Sequence, residues 1–162
     1  MRCAILTVST SVAAGRSDDL SGPALARAVE ALGAEVVARS VLSDDRATIE
    51  AWLAAQVAAG VELVLTTGGT GLTPDDVTPE ATLAVIDREV PGMAEAMRAR
   101  SLAHTPMAML SRAVAGTAGR SLIINFPGSP RAIAELIPVL EPVLGHAVAT
   151  LHRPDGHRGE HS

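Results

Sequence analysis

Glycines and carboxylates crowd one short stretch of this chain. Thr66-Thr67-Gly68-Gly69-Thr70-Gly71 closes an apolar run, and Asp75-Asp76 follows it at once. Glycine admits positive φ and close approach of the backbone, and successive amides in such a loop can cradle an anion. Two carboxylates beside an anion make sense when a divalent cation neutralises the charge between them. The same residues also suit a tight turn capped by Asp. A second acidic pair, Asp44-Asp45, follows another apolar run. Alone it reads as a helix N-terminus; it joins the first site only if the sheet order brings the two together. Asn125-Phe126-Pro127-Gly128-Ser129-Pro130 is a further strand-exit loop, in which Gly128 and Ser129 offer amides and a hydroxyl to a second anionic group, or simply form a rigid turn. Arg112 is placed equally well for a phosphate contact or a surface role. The chemistry these residues suggest is binding of a phosphorylated small molecule, with a divalent cation.

What the chain lacks narrows the choice. Lysine is absent and all 13 basic residues are Arg, which excludes a lysine Schiff base and a lysine-bearing phosphate loop. The single cysteine, Cys3, cannot make an internal disulfide or a thiol pair and reads as an apolar filler of the first strand. The five histidines do not have zinc-site spacing; His104 and His146 fall in helical context and His152, His157 and His161 in or near the tail. A net charge of −5 argues against a general nucleic-acid binder. The only aromatic residues are Trp52 and Phe126, which removes a stacking platform for single strands. No leader pattern is seen at the start, and no apolar run is read as long enough to span a membrane, so a cytoplasmic protein is expected.

The elements that must position these loops alternate. Cys3 to Ser9, Glu35 to Leu42 and Val61 to Thr66 read as strands. Leu20 to Leu32 and Asp45 to Ala59 read as helices, stopped by Gly33 and Gly60, and Ser43 is a candidate N-cap. Ser11 to Asp19 and Leu72 to Pro79 read as loops. Thr78-Pro79-Glu80 starts a helix with Thr78 as its cap. Met93 to Ala103 is helical, and Pro106 to Ser111 adds a short turn. Ala113 to Ala115 and Ser121 to Phe126 read as strands around Gly116 to Gly119, in a hairpin or in sequence. Arg131 to Leu151 is a helix interrupted by proline, and 152–162 is expected to be a disordered polar tail beyond a single domain of residues 1–151. At 162 residues the chain is long enough for one domain with its own core. Strands alternating with helices imply a mostly parallel sheet covered on both faces, and ligands of such sheets bind beyond the carboxyl ends of the strands. The loops after Ser9, Ser43, Thr67 and Pro127 share that edge.

The stretch from Thr66 through Thr82 resembles the signature of the molybdenum cofactor biosynthesis family. Asp87-Arg88-Glu89-Val90-Pro91-Gly92, Glu95-Ala96-Met97-Arg98, Leu110 through Gly116, and Asn125 through Pro130 extend the resemblance, which covers about residues 3 to 151. It implies a three-layer α/β/α sandwich and a homo-oligomer, trimeric or hexameric. The implied activity is adenylyl transfer from Mg-ATP to the terminal phosphate of molybdopterin, with release of pyrophosphate. Asp44 and Asp76 match the family's functional aspartates. Ser9, Thr67, Gly68, Gly69, Thr70, Gly71, Gly128 and Ser129 are carried over as substrate-binding positions. The resemblance leaves room for a non-catalytic molybdopterin-binding or carrier protein, and for a nucleotide enzyme such as the competence-damage family, whose related loop also carries an Asp-Asp pair. Three positions depart from many members. Asp75 replaces Arg, Thr10 and Ser11 replace Asp and Arg, and Ser43 replaces Pro. The first puts a negative charge near the phosphates, which a cation must offset.

Overall fold

A computed structural model describes residues 1–154. The strands are β1 (Arg2–Val8), β2 (Glu35–Leu42), β3 (Leu63–Thr67), β4 (Arg88–Glu89), β5 (Ala115–Ala118) and β6 (Ser121–Phe126). The helices are α1 (Thr10–Ala13), α2 (Ser21–Glu30), α3 (Arg46–Ala58), α4 (Thr78–Val85), α5 (Pro91–Leu102) and α6 (Pro130–Leu151), with a 3-10 turn over Pro106–Leu110. They build one six-stranded sheet in the order β2-β1-β3-β6-β5-β4. The four strands from β2 to β6 run parallel, β5 is antiparallel to β6, and β4 is antiparallel to β5.

The unbroken apolar runs of β1, β3 and β6 follow from burial on both faces. Alternate side chains enter different layers. Cys3, Ile5, Leu63, Leu65, Leu122, Ile124 and Phe126 pack with Leu25, Met97, Ile133 and Leu136 of α2, α5 and α6. Ala4, Leu6, Val64 and Ile123 pack with Ile49 and Leu53 of α3 and Ala81 of α4. The result is the three-layer α/β/α sandwich expected. Burying each Leu or Ile of this kind is worth roughly 1.5–3 kcal/mol.

Several local expectations are corrected. The Ser11 to Asp19 loop opens with α1, capped by Ser9, whose Oγ accepts from Val12 N at 3.3 Å. The cap of α3 is Asp45, which accepts from Thr48 N at 3.1 Å, and not Ser43. Thr78 does not cap α4. It lies inside the helix, whose N-cap is Val77, and its hydroxyl donates instead to Gly68 O at 3.0 Å. The strands at the far edge form a hairpin in which Gly116, Thr117 and Ala118 are paired and only Gly119-Arg120 turn. Two residues of β4, which no pattern in the sequence announces, then add to β5.

Helix α6 runs unbroken through Pro138 and Pro142. Both prolines are exposed, so the carbonyls they leave unpaired face water rather than the core. At 22 residues this helix is also long and apolar enough to cross a membrane by length and composition, contrary to the sequence reading. Its buried side chains Ile133, Leu136, Ile137, Leu140, Leu144 and Val148 pack in the protein core. His152 ends it, with Nε2 4.0 Å from Glu62 Oε1. The rest of the expected tail, from 155 with His157 and His161, lies outside the described residues.

Candidate functional site

The chain leaves β1 for β2 on one side and for β3 on the other. That reversal makes a crevice at the carboxyl ends of β1 and β3, the usual ligand position in an open α/β sheet. The glycine loop fills it. Gly68 and Gly69 have φ +96° and +70°, a region that strongly favours glycine. Space forbids a side chain as well. A Cβ at Gly68 would lie 2.3 Å from the Val8 carbonyl oxygen, and one at Gly69 would lie 2.3 Å from Thr78 Oγ1. The glycines therefore let the loop press on β1 and α4, which is how its backbone reaches the crevice.

Both candidate aspartates stand against this loop. A Cβ at Gly69 would be 3.3 Å from Asp44 Oδ1, and one at Gly71 would be 2.8 Å from Asp76 Oδ2. The two are anchored alike. Asp44 Oδ2 accepts from Thr10 N at 3.1 Å and Thr10 Oγ1 at 2.7 Å. Asp76 Oδ2 accepts from Thr73 N at 3.0 Å and Thr73 Oγ1 at 2.9 Å. One oxygen of each carboxylate is thus fixed by a threonine, and Oδ1 accepts no hydrogen bond among the described residues. Thr10, one of the departures from the family pattern, is the anchor of Asp44. Asp75 is exposed.

The remaining positions divide. Ser9, Thr67, Gly68 and Gly128 line one cavity of about 260 Å³ with Thr7 and Asp19. Within it the Thr67 hydroxyl is already committed, donating to Pro127 O at 2.8 Å. Thr70 and Gly71 line a second, larger groove of about 430 Å³, with Leu72, Met97, Met107 and Pro127. Gly128 passes behind Gly68, where a Cβ would be 3.4 Å from the Gly68 Cα. Ser129 caps α6, accepting from Ala132 N at 3.4 Å. Among the described residues no group of three or more His, Cys, Asp and Glu is placed to hold a metal ion by itself.

Two supports take their roles only from the structure: Asn125, and Arg112, for which the sequence offers a phosphate contact or a surface role. Asn125, fully buried, donates from Nδ2 to Thr66 Oγ1 and Thr82 Oγ1, both at 2.9 Å, while its Oδ1 accepts from Val114 N. Thr82 in turn donates to Thr78 O at 2.8 Å. A polar chain so runs from β6 through α4 to the glycine loop. Arg112 turns its guanidinium inward, onto Gly71 O at 2.8 Å, Asp76 O at 2.7 Å and the Glu80 carboxylate. That hydrogen bond from Arg112 is the main cause that holds the Glu80 carboxyl below its ordinary range. The only signals in sequence are a buried-strand Asn and an Arg just ahead of a strand.

Known proteins match this chain in sequence and in fold. Residues 4–146 fit the molybdenum cofactor biosynthesis domain, described as a probable molybdopterin binding domain. The chain is 38% identical to a molybdenum cofactor biosynthesis bifunctional protein of Synechococcus elongatus over 93% of its own length and 47% of that protein. It thus spans about half the length of that relative. It is 51% identical to a molybdopterin adenylyltransferase of Haemophilus influenzae over 98 residues, 60% of this chain and 50% of that one. A crystal structure of the molybdopterin biosynthesis enzyme MoaB from Thermus thermophilus superposes with a TM-score of 0.87 at 44% identity, covering 93% of this chain and 95% of that one. The fold and the sequence agree, and the chain belongs to the molybdenum cofactor biosynthesis family.

Proposed function

We propose that residues 1–151 act as one unit that transfers the adenylyl group of Mg-ATP to the terminal phosphate of molybdopterin. The observation that carries this reading is that Asp44 and Asp76 stand against Gly69 and Gly71 of one glycine loop, each with an oxygen left open. Magnesium characteristically takes one or two carboxylates together with substrate phosphates. The two open oxygens fit a cation that arrives on the nucleotide.

In this reaction an oxygen of the molybdopterin phosphate attacks the α-phosphorus of ATP. A new P–O bond forms while the bond to the β-phosphate oxygen breaks, and pyrophosphate leaves. The protein's part is positioning and charge neutralisation. Of the amides of Gly68 to Gly71, that of Gly68 donates to Phe126 O at 3.0 Å, so those of Gly69, Thr70 and Gly71 are left to hold phosphate oxygens, and Asp44 and Asp76 orient the cation-bound group. Ser9, Thr67, Gly128 and Ser129 shape the neighbouring surface. The loop has one cavity at Gly68 and another at Thr70 and Gly71, which suits a reaction that joins two substrates. The named activity of the Haemophilus relative supports the same assignment.

We also infer a homo-oligomer, trimeric or hexameric. Exposed Met107, Met109 and Leu110 on the 3-10 turn, beside Leu102 of α5, supply apolar surface for it. The test of the activity is to mix the protein with molybdopterin and Mg-ATP and follow adenylylated molybdopterin by mass spectrometry. Product in excess of protein is expected. Molybdopterin binding without ATP consumption would refute transfer and leave a carrier.

A further inference from the structure

Eleven residues separate Thr70 from Glu80 when both ends are counted, and a single arginine outside that stretch holds it at four points. The Arg112 backbone amide donates to Thr70 O at 2.9 Å. Its Nε donates to Gly71 O, its Nη2 to Asp76 O, and its Nη1 to the Glu80 carboxylate. The loop between has few other ties. Asp76 N donates to Thr73 O at 3.0 Å, and Asp76 Oδ2 takes the Thr73 amide and hydroxyl. These bonds close a small ring on the exposed segment Leu72 to Asp75, whose side chains contribute nothing to either core cluster. The start and the end of the acidic loop are thus tied to one planar group. A guanidinium suits the task because its donors are spread in a rigid fork, whereas an ammonium is a single point.

We propose that Arg112 is a positioning residue: its fork ties Gly71 to Asp76 and Glu80 and so sets where the Asp76 carboxylate stands. The inference rests on the transfer reaction proposed above for its catalytic consequence, and on geometry alone for the clamp. All three guanidinium nitrogens already donate to the protein. The clamp acts through the loop; these bonds use three of the five N–H groups, so a direct phosphate contact is the rival reading, which KM for ATP tests. A misplacement on the order of 1 Å at a reacting group costs about 100-fold in rate. Loss of the clamp should accordingly lower kcat about 100-fold while KM for ATP stays within about threefold, the pattern of a lost positioning effect.

Arg112→Lys keeps the charge and loses the fork. Two readouts are taken on it. The first is amide hydrogen exchange, which needs no activity. The Thr73 and Asp76 amides should exchange at least tenfold faster than in the parent, with the β1 and β3 amides unchanged. The second is kinetics, alone and in an Asp76→Ala background, where the Arg112→Lys change should have no further effect on kcat. Unchanged exchange at Thr73 and Asp76 would overturn the clamp. So would a rise in KM for ATP with kcat preserved, which is the mark of a direct phosphate contact. Faster loop exchange in a protein whose parent makes no adenylylated product would uphold the clamp and refute the transfer reaction instead. Should Arg112→Lys not fold, Glu80→Gln weakens one arm of the clamp while leaving the fork, and faster exchange confined to residues 71–80 is expected; no change there overturns the proposal.

Discussion

Replacing Gly68 with Ala tests whether the glycine loop owes its shape to pressure against β1. Two costs combine. At φ +96° an L side chain is strained by roughly 1–2 kcal/mol, partly offset by about 0.4–1 kcal/mol from a stiffer unfolded chain. The new Cβ would also sit 2.3 Å from the Val8 carbonyl oxygen, a backbone atom at the end of β1, where Val8 is paired with Leu42 of β2 and cannot swing aside. Overpacking of this kind costs typically about 1–3 kcal/mol. The sum is roughly 2–4 kcal/mol, or a Tm lower by ~5–15 °C at this chain length. Gly60 supplies the control. It has φ +73°, and a Cβ added there would meet nothing within 4 Å, so Gly60→Ala carries the φ cost alone, about 1 kcal/mol or ~2–4 °C. Calorimetry of the two variants beside the parent reads the difference. Equal losses for Gly68→Ala and Gly60→Ala would refute the reasoning, because the contact with Val8 would then contribute nothing.

Asp44→Ala and Asp76→Ala should each keep a cooperative melting transition and lose about 100-fold or more in adenylyl transfer, checked by product mass spectrometry; normal turnover in either would remove that residue from the mechanism. Asn125→Leu keeps the branching and the heavy-atom count and deletes the buried amide, orphaning groups at Thr66, Thr82 and Val114, so urea denaturation should show a loss of roughly 2–4 kcal/mol. The Glu80 carboxyl is depressed by Arg112, so its contribution is present above the ordinary Glu value of about 4.3 and is lost as pH falls through the lower folded value. The stability gap between the parent and Glu80→Gln should therefore be constant from pH 7 to about 5 and close on further acidification. A gap that widened towards low pH would contradict the sign.

Much of the sheet is readable in advance because β1, β3 and β6 are buried on both faces and appear as short unbroken apolar runs. The far edge is not, because β5 is built from Ala115, Gly116, Thr117 and Ala118, residues without strand patterning. Gly116 belongs in a strand for a steric reason. A Cβ there would lie 2.6 Å from the Arg88 carbonyl, so its absence is what lets β4 dock. Helix α6 misleads in the opposite sense. Its prolines announce a break, yet both fall on the wet side, where a lost hydrogen bond is replaced by water.

The site is half legible for a related reason. Asp44 and Asp76 lie on separate stretches, and only the order β2-β1-β3 puts the ends of their strands beside one crevice. Sequence can nominate such residues singly, since acids after strand ends are visible, but it cannot supply the crossing that sets one against Gly69 and the other against Gly71 of the same loop. What holds them is less visible still. Thr10 and Thr73 are ordinary loop threonines until each is seen donating an amide and a hydroxyl to one carboxylate oxygen. The expectation for Thr78 fails in the same manner. Its type and place fit a helix cap, but the tertiary demand of Gly68 for a donor at its carbonyl outweighs the local demand of α4. Local chemistry thus identifies which residues are able to serve the site, and long-range packing decides which of them does.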